Sequence, residues 1–178
     1  MRRNIVLIGM MGAGKTAIGG ELARRTQRPF ADTDAEIERA AAMSIPEIFA
    51  RDGEEFFRAR ESEVLGRVLA LGNSVVSTGG GAWLRPENRE RINQNGVAVW
   101  LDCDLETLWH RVRQRPTRPL LQTADPRGTL ERLLTEREPF YALADIRVSA
   151  RRGDSIEQTT NRVIAAINAH DPAILEAE

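Results

Sequence analysis

The stretch that decides the fold of this chain is Gly9-Met10-Met11-Gly12-Ala13-Gly14-Lys15-Thr16. It follows the pattern G-x-x-x-x-G-K-T, in which glycines allow successive backbone N–H groups to turn inward around a phosphate. A short apolar run, IVLI at residues 5–8, precedes it, and a helical pattern with Ile18 and Leu22 four residues apart follows it. A buried strand, this loop and a helix in succession predict that the chain binds a nucleoside triphosphate.

Lys15 is the only lysine in the chain, and the other 24 positions counted as Lys or Arg are arginines. A compact ammonium group fits inside a curled phosphate loop, whereas a planar guanidinium is too broad for that space. Lys15 is therefore predicted to contact the β- and γ-phosphates, and the Thr16 hydroxyl to hold Mg²⁺. The loop residues expected to bind ATP are Gly12, Ala13, Gly14, Lys15, Thr16 and Ala17.

Length and composition limit the remaining possibilities. The chain has 178 residues, 42% of them hydrophobic, which suits one domain over 1–170 with an acidic tail over 171–178 that is expected to fray. The formal net charge of −1 argues against broad nucleic-acid binding. No apolar run approaches the roughly 20 residues that span a bilayer. The single cysteine, Cys103, is expected to be buried and fits a cytoplasmic location. A monomer is expected.

Strand-like and helix-like segments alternate along the chain, which predicts an α/β fold with a parallel sheet covered by helices. Strands are expected at 5–8, 29–32, 74–77, 97–101 and 146–148. Helices are expected at 15–25, 35–42, 45–51, 54–71, 86–95, 105–113, 127–138 and 155–169. The fold class is thus a P-loop kinase of the nucleoside-monophosphate-kinase type, with five parallel strands. The proline- and arginine-bearing segment at about 112–125 is expected to form a mobile lid.

Two carboxylates follow the second predicted strand, in Asp32-Thr33-Asp34. The carboxyl ends of strands lie on the ligand side of an open α/β sheet. One carboxylate is a candidate for holding a magnesium-bound water, and the other for accepting a proton from an attacking hydroxyl. Asp is also favoured as the N-cap of a helix, and the residues alone do not separate these interpretations. The nearby phosphate loop favours the functional one.

Other candidates depend more on context. Arg58 and Glu61 lie three residues apart on one predicted helix, which is most often a surface pair, although the neighbouring phenylalanines suggest an oriented guanidinium suited to a carboxylate ligand. Gly79-Gly80-Gly81 after the third strand indicates a close backbone approach to a ligand or a plain loop. Arg118 is a candidate lid arginine. Arg137 is either functional or a helix-terminal cation.

The order and spacing of these motifs resemble those of the shikimate kinases from about Arg3 to Asn168. The matching segments are GMMGAGKT at 9–16, DTD at 32–34, GEEFFR at 53–58, GGG at 79–81, RPLL at 118–121, and Arg137 with Tyr141. The resemblance implies phosphoryl transfer from MgATP to the 3-hydroxyl of shikimate, in the pathway to chorismate and the aromatic amino acids.

On the donor side, the resemblance implies that Asp32 belongs to the water shell of the metal. It assigns Arg118 to charge on the transferring phosphoryl group, and Arg111 and Arg152 to the adenine. On the acceptor side, the resemblance assigns the three glycines at 79–81 to the substrate. It assigns four further residues either to the substrate or to orienting a residue that binds it: Asp34, Arg58, Glu61 and Arg137. Asp34 would hold the ring hydroxyls and activate the nucleophile.

Arg58, Gly80 and Arg137 would bind the carboxylate and ring, with Glu61 orienting Arg58.

Two alternatives remain at this stage. Another small-molecule P-loop kinase, acting on gluconate or a nucleoside monophosphate, would leave the combination of Asp34 with these residues unexplained. A regulatory nucleotide-binding protein without catalysis is expected to lack the lid arginine or the acidic pair, and the sequence has both.

Overall fold

A parallel sheet organises the chain in the computed structural model, which describes residues 3–115 and 119–176. Within that range five strands are hydrogen-bonded in the order β2-β3-β1-β4-β5. They are β1 (Asn4–Ile8), β2 (Phe30–Asp32), β3 (Val75–Ser77), β4 (Gly96–Asp102) and β5 (Ile146–Ser149). All four pairings are parallel, with Ile5 aligned to Val75 on one side and to Val97 on the other. The predicted five-stranded parallel sheet is confirmed.

The burial of the strands follows from the layers around them. Every residue of β1 and all but the last of β4 are buried, because helices cover both faces of a central parallel strand. The edge strand β5 alternates between buried and exposed residues. The phosphate loop therefore begins at the carboxyl end of β1, the central strand of the sheet, whose residues are all buried.

Seven helices surround the sheet in the described residues. They are α1 (Lys15–Thr26), α2 (Thr33–Ala41), α3 (Ile45–Ala70), α4 (Pro86–Asn95), α5 (Leu105–Val112), α6 (Pro126–Tyr141) and α7 (Ile156–His170). Short 3₁₀ turns lie at Ala82–Leu84, Pro119–Leu121 and Pro172–Ile174. The two helices predicted at 45–51 and 54–71 meet at Gly53, where the backbone leaves the helical region with φ 84° and bends α3.

Helix α6 runs three residues beyond its predicted end at Glu138. Pro139 lies inside the helix, where a proline normally ends it, but it falls in the last turn before the cap at Ala142. This extension carries Tyr141 on the same helix as Arg137, one turn later. The sequence pattern alone stops the helix before that residue.

The segment after His170, for which the sequence predicts fraying, is described as far as residue 176. Asp171 caps the turn Pro172–Ile174 with its side chain, and Ile174 is buried. Arg28 donates hydrogen bonds to the backbone carbonyls of Arg3 and Ile174, which ties this segment to the start of β1. One apolar residue and one buried arginine therefore hold the chain in place as far as this turn.

The core consists of the central strands and the inner faces of the helices. Trp83 and Trp100 are buried in it. Cys103 is also buried, and burial raises the pKa of its thiol to about 11. None of the helices in residues 3–115 and 119–176 has both the length and the apolar character needed to cross a bilayer.

Candidate active site

The phosphate loop joins β1 to α1 through backbone conformations that favour glycine. Gly12 and Gly14 have φ values of 83° and 96°, in the left-handed region. A Cβ atom added to Gly12 would lie 2.8 Å from Cγ1 of Val112, so the loop also packs closely against α5. The loop ends at Gly14, the N-cap of α1, and its N–H groups and the positive helix terminus together favour an anion.

Lys15 lies inside this loop and is mostly buried. Its Nζ donates to the carbonyls of Gly9 at 2.7 Å and Met10 at 2.8 Å. Two carbonyl groups of the loop backbone thus contact the ammonium group, and little of Lys15 is exposed to solvent. This arrangement fits the predicted need for a small cation, because a guanidinium fork would have to displace those carbonyls.

Thr16 and Asp32 meet at the carboxyl edge of the sheet. The Thr16 hydroxyl donates to Oδ2 of Asp32 at 2.7 Å, while Oδ1 of the same carboxylate accepts from the N–H groups of Asp34 and Ala35. Asp32 is therefore the N-cap of α2 and also a partner of the loop threonine. The N-cap interpretation of Asp32 is thus confirmed, and its second oxygen contacts the loop threonine; the metal-shell role stays a prediction.

Arg58 and Glu61 form a pair at the inner face of α3. Nη1 of Arg58 lies 2.9 Å from Oε1 of Glu61, and the Glu61 side chain is fully buried. Burial raises the pKa of Glu61, and the positive charge of Arg58 opposes that shift without cancelling it. The guanidinium also lies over the Phe57 ring, 5.2 Å from its centroid. The pair is a buried, oriented one rather than the surface contact that its spacing alone favours.

The close approach of neighbouring side chains explains why glycine occupies all three positions after β3. A Cβ atom at Gly79 would lie 2.7 Å from Oε2 of Glu61 and 2.9 Å from Oδ1 of Asp34. At Gly81 it would lie 2.5 Å from Nη1 of Arg58. The turn has no side chains because the polar groups of the site occupy that space.

Gly80, between them, is enclosed by α6 and the phosphate loop. Its added Cβ atom would lie 3.0 Å from Nη1 of Arg137 and 3.5 Å from the backbone of Gly9 and Met11. Arg137 is almost fully buried, and its Nη1 has no hydrogen-bond partner among the described residues. A buried guanidinium nitrogen without a partner favours an anionic ligand at this point.

Two depressions of about 560 Å³ each open side by side at this edge of the sheet. The first is lined by the phosphate loop, Arg111 and the start of α7. The second is lined by Arg58, Glu61, Arg137 and apolar side chains of α3. Residues in both walls are Met11, Thr16, Asp32, Asp34, Gly79, Gly80 and Arg115. Because the two depressions share these residues, a small ligand bound in one would lie next to a small ligand bound in the other.

The remaining candidates fall in different places. Ala13 and Ala17 line the first depression, as does Arg111, whose Nη1 donates to the carbonyl of Gly12 at 3.0 Å. Arg152 is exposed and lies outside the walls of both depressions. Arg118, the predicted lid arginine, lies outside the described residues.

Sequence reasoning missed the apolar part of the second depression. Phe49 and Phe57 form a tilted ring pair with centroids 4.9 Å apart, and both line it, together with Leu120. Their positions on a helix or beside a turn give the same signal as ordinary core residues. It also did not single out Arg115, which lies in the wall shared by the two depressions.

The fold, the phosphate loop and the paired depressions define an ATP-dependent P-loop kinase. The sequence model of the family described as shikimate kinase matches residues 11–168, and the chain belongs to that family. A relative from Ruegeria pomeroyi, named shikimate kinase, is 57% identical over 167 residues, 94% of this chain and 86% of the relative. A second, from Cereibacter sphaeroides, is 53% identical over 178 residues, 100% of this chain and 88% of the relative.

A solved structure is similar throughout. It is a shikimate kinase from Acinetobacter baumannii in complex with shikimate, with a TM-score of 0.92 and 37% identity over 96% of each chain. The family and the fold expected from the motif order are therefore confirmed.

Proposed function

We propose that this chain transfers the γ-phosphoryl group of MgATP to the 3-hydroxyl of shikimate, in the pathway to chorismate. The observation that carries this proposal is the wall shared by the two depressions, which contains Thr16, Asp34 and Gly80. Phosphoryl transfer needs donor and acceptor oxygens in line with little covalent help from the protein. Two adjoining sites, one for a triphosphate and one for a carboxylated ring, meet that need.

The donor half binds the triphosphate. Backbone N–H groups of the loop and the N-terminus of α1 receive the phosphates, and Lys15 adds its charge beside them. Arg111 lines the same depression, with its Nη1 3.0 Å from the carbonyl of Gly12, and is assigned to the adenine by the resemblance. Arg152, also assigned to adenine by resemblance, is supported less, because it is exposed outside the walls.

Mg²⁺ fits the residues at the edge of this half. The Thr16 hydroxyl and the Asp32 carboxylate supply oxygen donors, the type that Mg²⁺ prefers, and phosphates and waters supply the rest. No cluster of three or more Asp, Glu, His or Cys side chains suited to a metal occurs in residues 3–115 and 119–176. We therefore assign Thr16 to direct contact and Asp32 to contact through water. The ion would neutralise charge developing on the phosphate oxygens.

The acceptor half binds the carboxylate and the ring. Arg58 and Arg137 present guanidinium groups to one depression, and planar forks suit a carboxylate. Glu61 orients the Arg58 guanidinium through the ion pair between them. Phe49 and Phe57 give the ring an apolar wall. Gly79, Gly80 and Gly81 let the ligand approach the backbone.

Asp34 lies between the halves and is assigned to the reacting hydroxyl. Its carboxylate borders both depressions, so it can hold the 3-hydroxyl and accept its proton as the oxygen attacks phosphorus. Lys15 and Arg118 are assigned to the charge on the transferring group, with Arg118 arriving from the lid at 112–125. We further propose that the enzyme acts as a cytoplasmic monomer.

Product analysis tests the regiochemistry. After incubation with MgATP and shikimate, phosphorus–proton correlation NMR is expected to couple the new phosphorus to the ring proton on C3. Coupling to the proton of another hydroxyl-bearing carbon would contradict the proposed geometry of Asp34. A control with Asp34→Asn is expected to form the same product far more slowly.

A further inference from the structure

The buried hydroxyl of Tyr141 contacts Gly80, a residue in the wall shared by the two depressions. Tyr141 is the last residue of α6 and is fully buried, with its ring 5.9 Å from that of Trp100. Its Oη donates a 2.6 Å hydrogen bond to the carbonyl of Gly80 and lies 3.7 Å from Sδ of Met10. A phenol has one proton, so the short bond to Gly80 fixes the direction of the hydroxyl.

This hydrogen bond holds the glycine that separates acceptor from donor. Nη1 of Arg137 and the backbone of Gly9 and Met11 all lie within 3.5 Å of a Cβ atom added to Gly80. A shift of the Gly80 peptide would therefore change the position of Arg137 relative to the phosphate loop. Because Arg137 is carried one turn before Tyr141 on α6, the two contacts to Gly80 come from one helix face.

A second contact links the same two segments. Nε1 of Trp83, in the 3₁₀ turn after the glycines, donates to the carbonyl of Phe140 at 2.7 Å. Two adjacent residues at the end of α6, Phe140 and Tyr141, are thus hydrogen-bonded to Trp83 and Gly80, which lie three residues apart. Burial raises the pKa of Tyr141, with Arg137 opposing that shift, so the hydroxyl keeps its proton for this bond.

We propose that Tyr141 is a positioning residue, whose hydroxyl sets the distance of the Gly80 peptide and of Arg137 from the phosphate loop and so controls acceptor binding. It touches neither the phosphates nor the reacting hydroxyl. The kinetic part of this inference rests on the proposed function, and the structural part does not. Loss of the hydroxyl leaves the partly buried Gly80 carbonyl without this donor, while the ring still fills its place in the core.

Tyr141→Phe tests the inference, with Ser74→Ala as the matched control. Ser74 precedes β3, the strand that leads to the glycines, and its buried hydroxyl also donates to a backbone carbonyl, that of Gly72. Hydrogen exchange of the segment 78–83 is expected to accelerate in Tyr141→Phe and to stay unchanged in Ser74→Ala. This readout does not depend on which acceptor the enzyme uses, and unchanged exchange in Tyr141→Phe would overturn the proposal.

Steady-state kinetics complete the test. Tyr141→Phe is expected to raise the KM for shikimate about tenfold, with the KM for ATP within about twofold of its original value. Ser74→Ala is expected to change neither. Faster exchange with both KM values unchanged, or raised equally, would reduce Tyr141 to a structural role and overturn the inference. Absence of shikimate turnover in the unsubstituted protein would instead overturn the proposed function and leave the exchange result to decide on Tyr141.

Discussion

The guanidinium of Arg58 is held by a carboxylate that has no exposure to solvent: its Nη1 lies 2.9 Å from Oε1 of Glu61. The other carboxylate oxygen of Glu61, Oε2, is buried and has no hydrogen-bond partner among the described residues. Such a pair costs free energy to bury, and specificity is a common reason for retaining one. Here the carboxylate fixes a guanidinium that faces the acceptor depression, and this arrangement leads to the first two predictions.

Arg58→Ala is expected to raise the KM for shikimate by about tenfold to a hundredfold, because a charge-assisted contact to the carboxylate is lost. The KM for ATP should change by less than about threefold. Arg60→Ala is the matched control, since Arg60 also pairs with a glutamate three residues later, Glu63 at 2.7 Å, but on the exposed side of α3. Steady-state titration of each substrate measures both. Equal effects of Arg58→Ala on the two KM values would contradict the carboxylate role.

Glu61→Gln is expected to change how stability depends on pH. The pKa of Glu61 is raised in the folded protein, so the folded state holds this proton more tightly than the unfolded state. Its contribution to stability is therefore fully present below the ordinary glutamate pKa of 4.5 and is lost as pH rises through the higher folded value. Glutamine does not titrate. The Tm of Glu61→Gln minus that of the unsubstituted protein should increase with pH above 4.5.

Thermal unfolding at intervals from about pH 4 to pH 8 measures that difference. A difference that decreases over this range would mean that Arg58 lowers the pKa of Glu61 more than burial raises it. The KM for shikimate should rise in Glu61→Gln at neutral pH, since a neutral amide orients the Arg58 guanidinium less strongly.

Lys15→Arg is expected to lower kcat/KM by about 10²-fold although the charge is kept. Nζ lies within 2.8 Å of two loop carbonyls, so a guanidinium would have to displace backbone to reach the phosphates. Lys15→Ala sets the reference for complete loss of the charge. If the arginine variant resembles the unsubstituted enzyme rather than the alanine variant, the argument from size is wrong.

Gly81→Ala is expected to move Arg58 without unfolding the chain. The new Cβ atom would overlap the guanidinium at 2.5 to 2.6 Å, and the flexible end of the arginine gives way more easily than the backbone. The KM for shikimate should rise about tenfold while that for ATP is nearly unchanged.

Gly20→Ala provides the control for this substitution. Gly20 lies in α1, and a Cβ atom there meets nothing within 4 Å. Alanine at this position should stabilise the protein by about 0.4–1 kcal/mol with unchanged kinetics. A similar rise in the KM for shikimate in both variants would show that the effect at Gly81 is not local.

The sequence predicts most of the donor half and less of the acceptor half. The loop 9–16 and its flanking strand and helix are local in sequence, so their geometry follows from glycine conformations and periodicity. The burial of Glu61 and its contact with the Gly79 region depend on α3 and β3 meeting across the fold, and an i,i+3 spacing does not reveal that. The contact between Arg28 and Ile174, which are distant in sequence, is likewise not visible in the local pattern after His170, where fraying stays a prediction.

The end of α6 shows the same limit. The sequence pattern predicts that this helix ends at Glu138, yet it continues to Tyr141, whose hydroxyl contacts Gly80, 61 residues away in sequence. A local rule cannot anticipate a contact of that range. Arg118 and the closing motion assigned to the lid remain predictions.

The measurement that tests the account most directly is ADP release with shikimate, gluconate and nucleoside monophosphates supplied separately as acceptors with MgATP. The structure presents two guanidinium groups, Arg58 and Arg137, to the acceptor depression, and a carboxylated ring bearing hydroxyls matches them. Shikimate alone is therefore expected to support turnover well above the background hydrolysis of ATP. Turnover with gluconate or a nucleoside monophosphate but not with shikimate would contradict the assignment of both halves of the site.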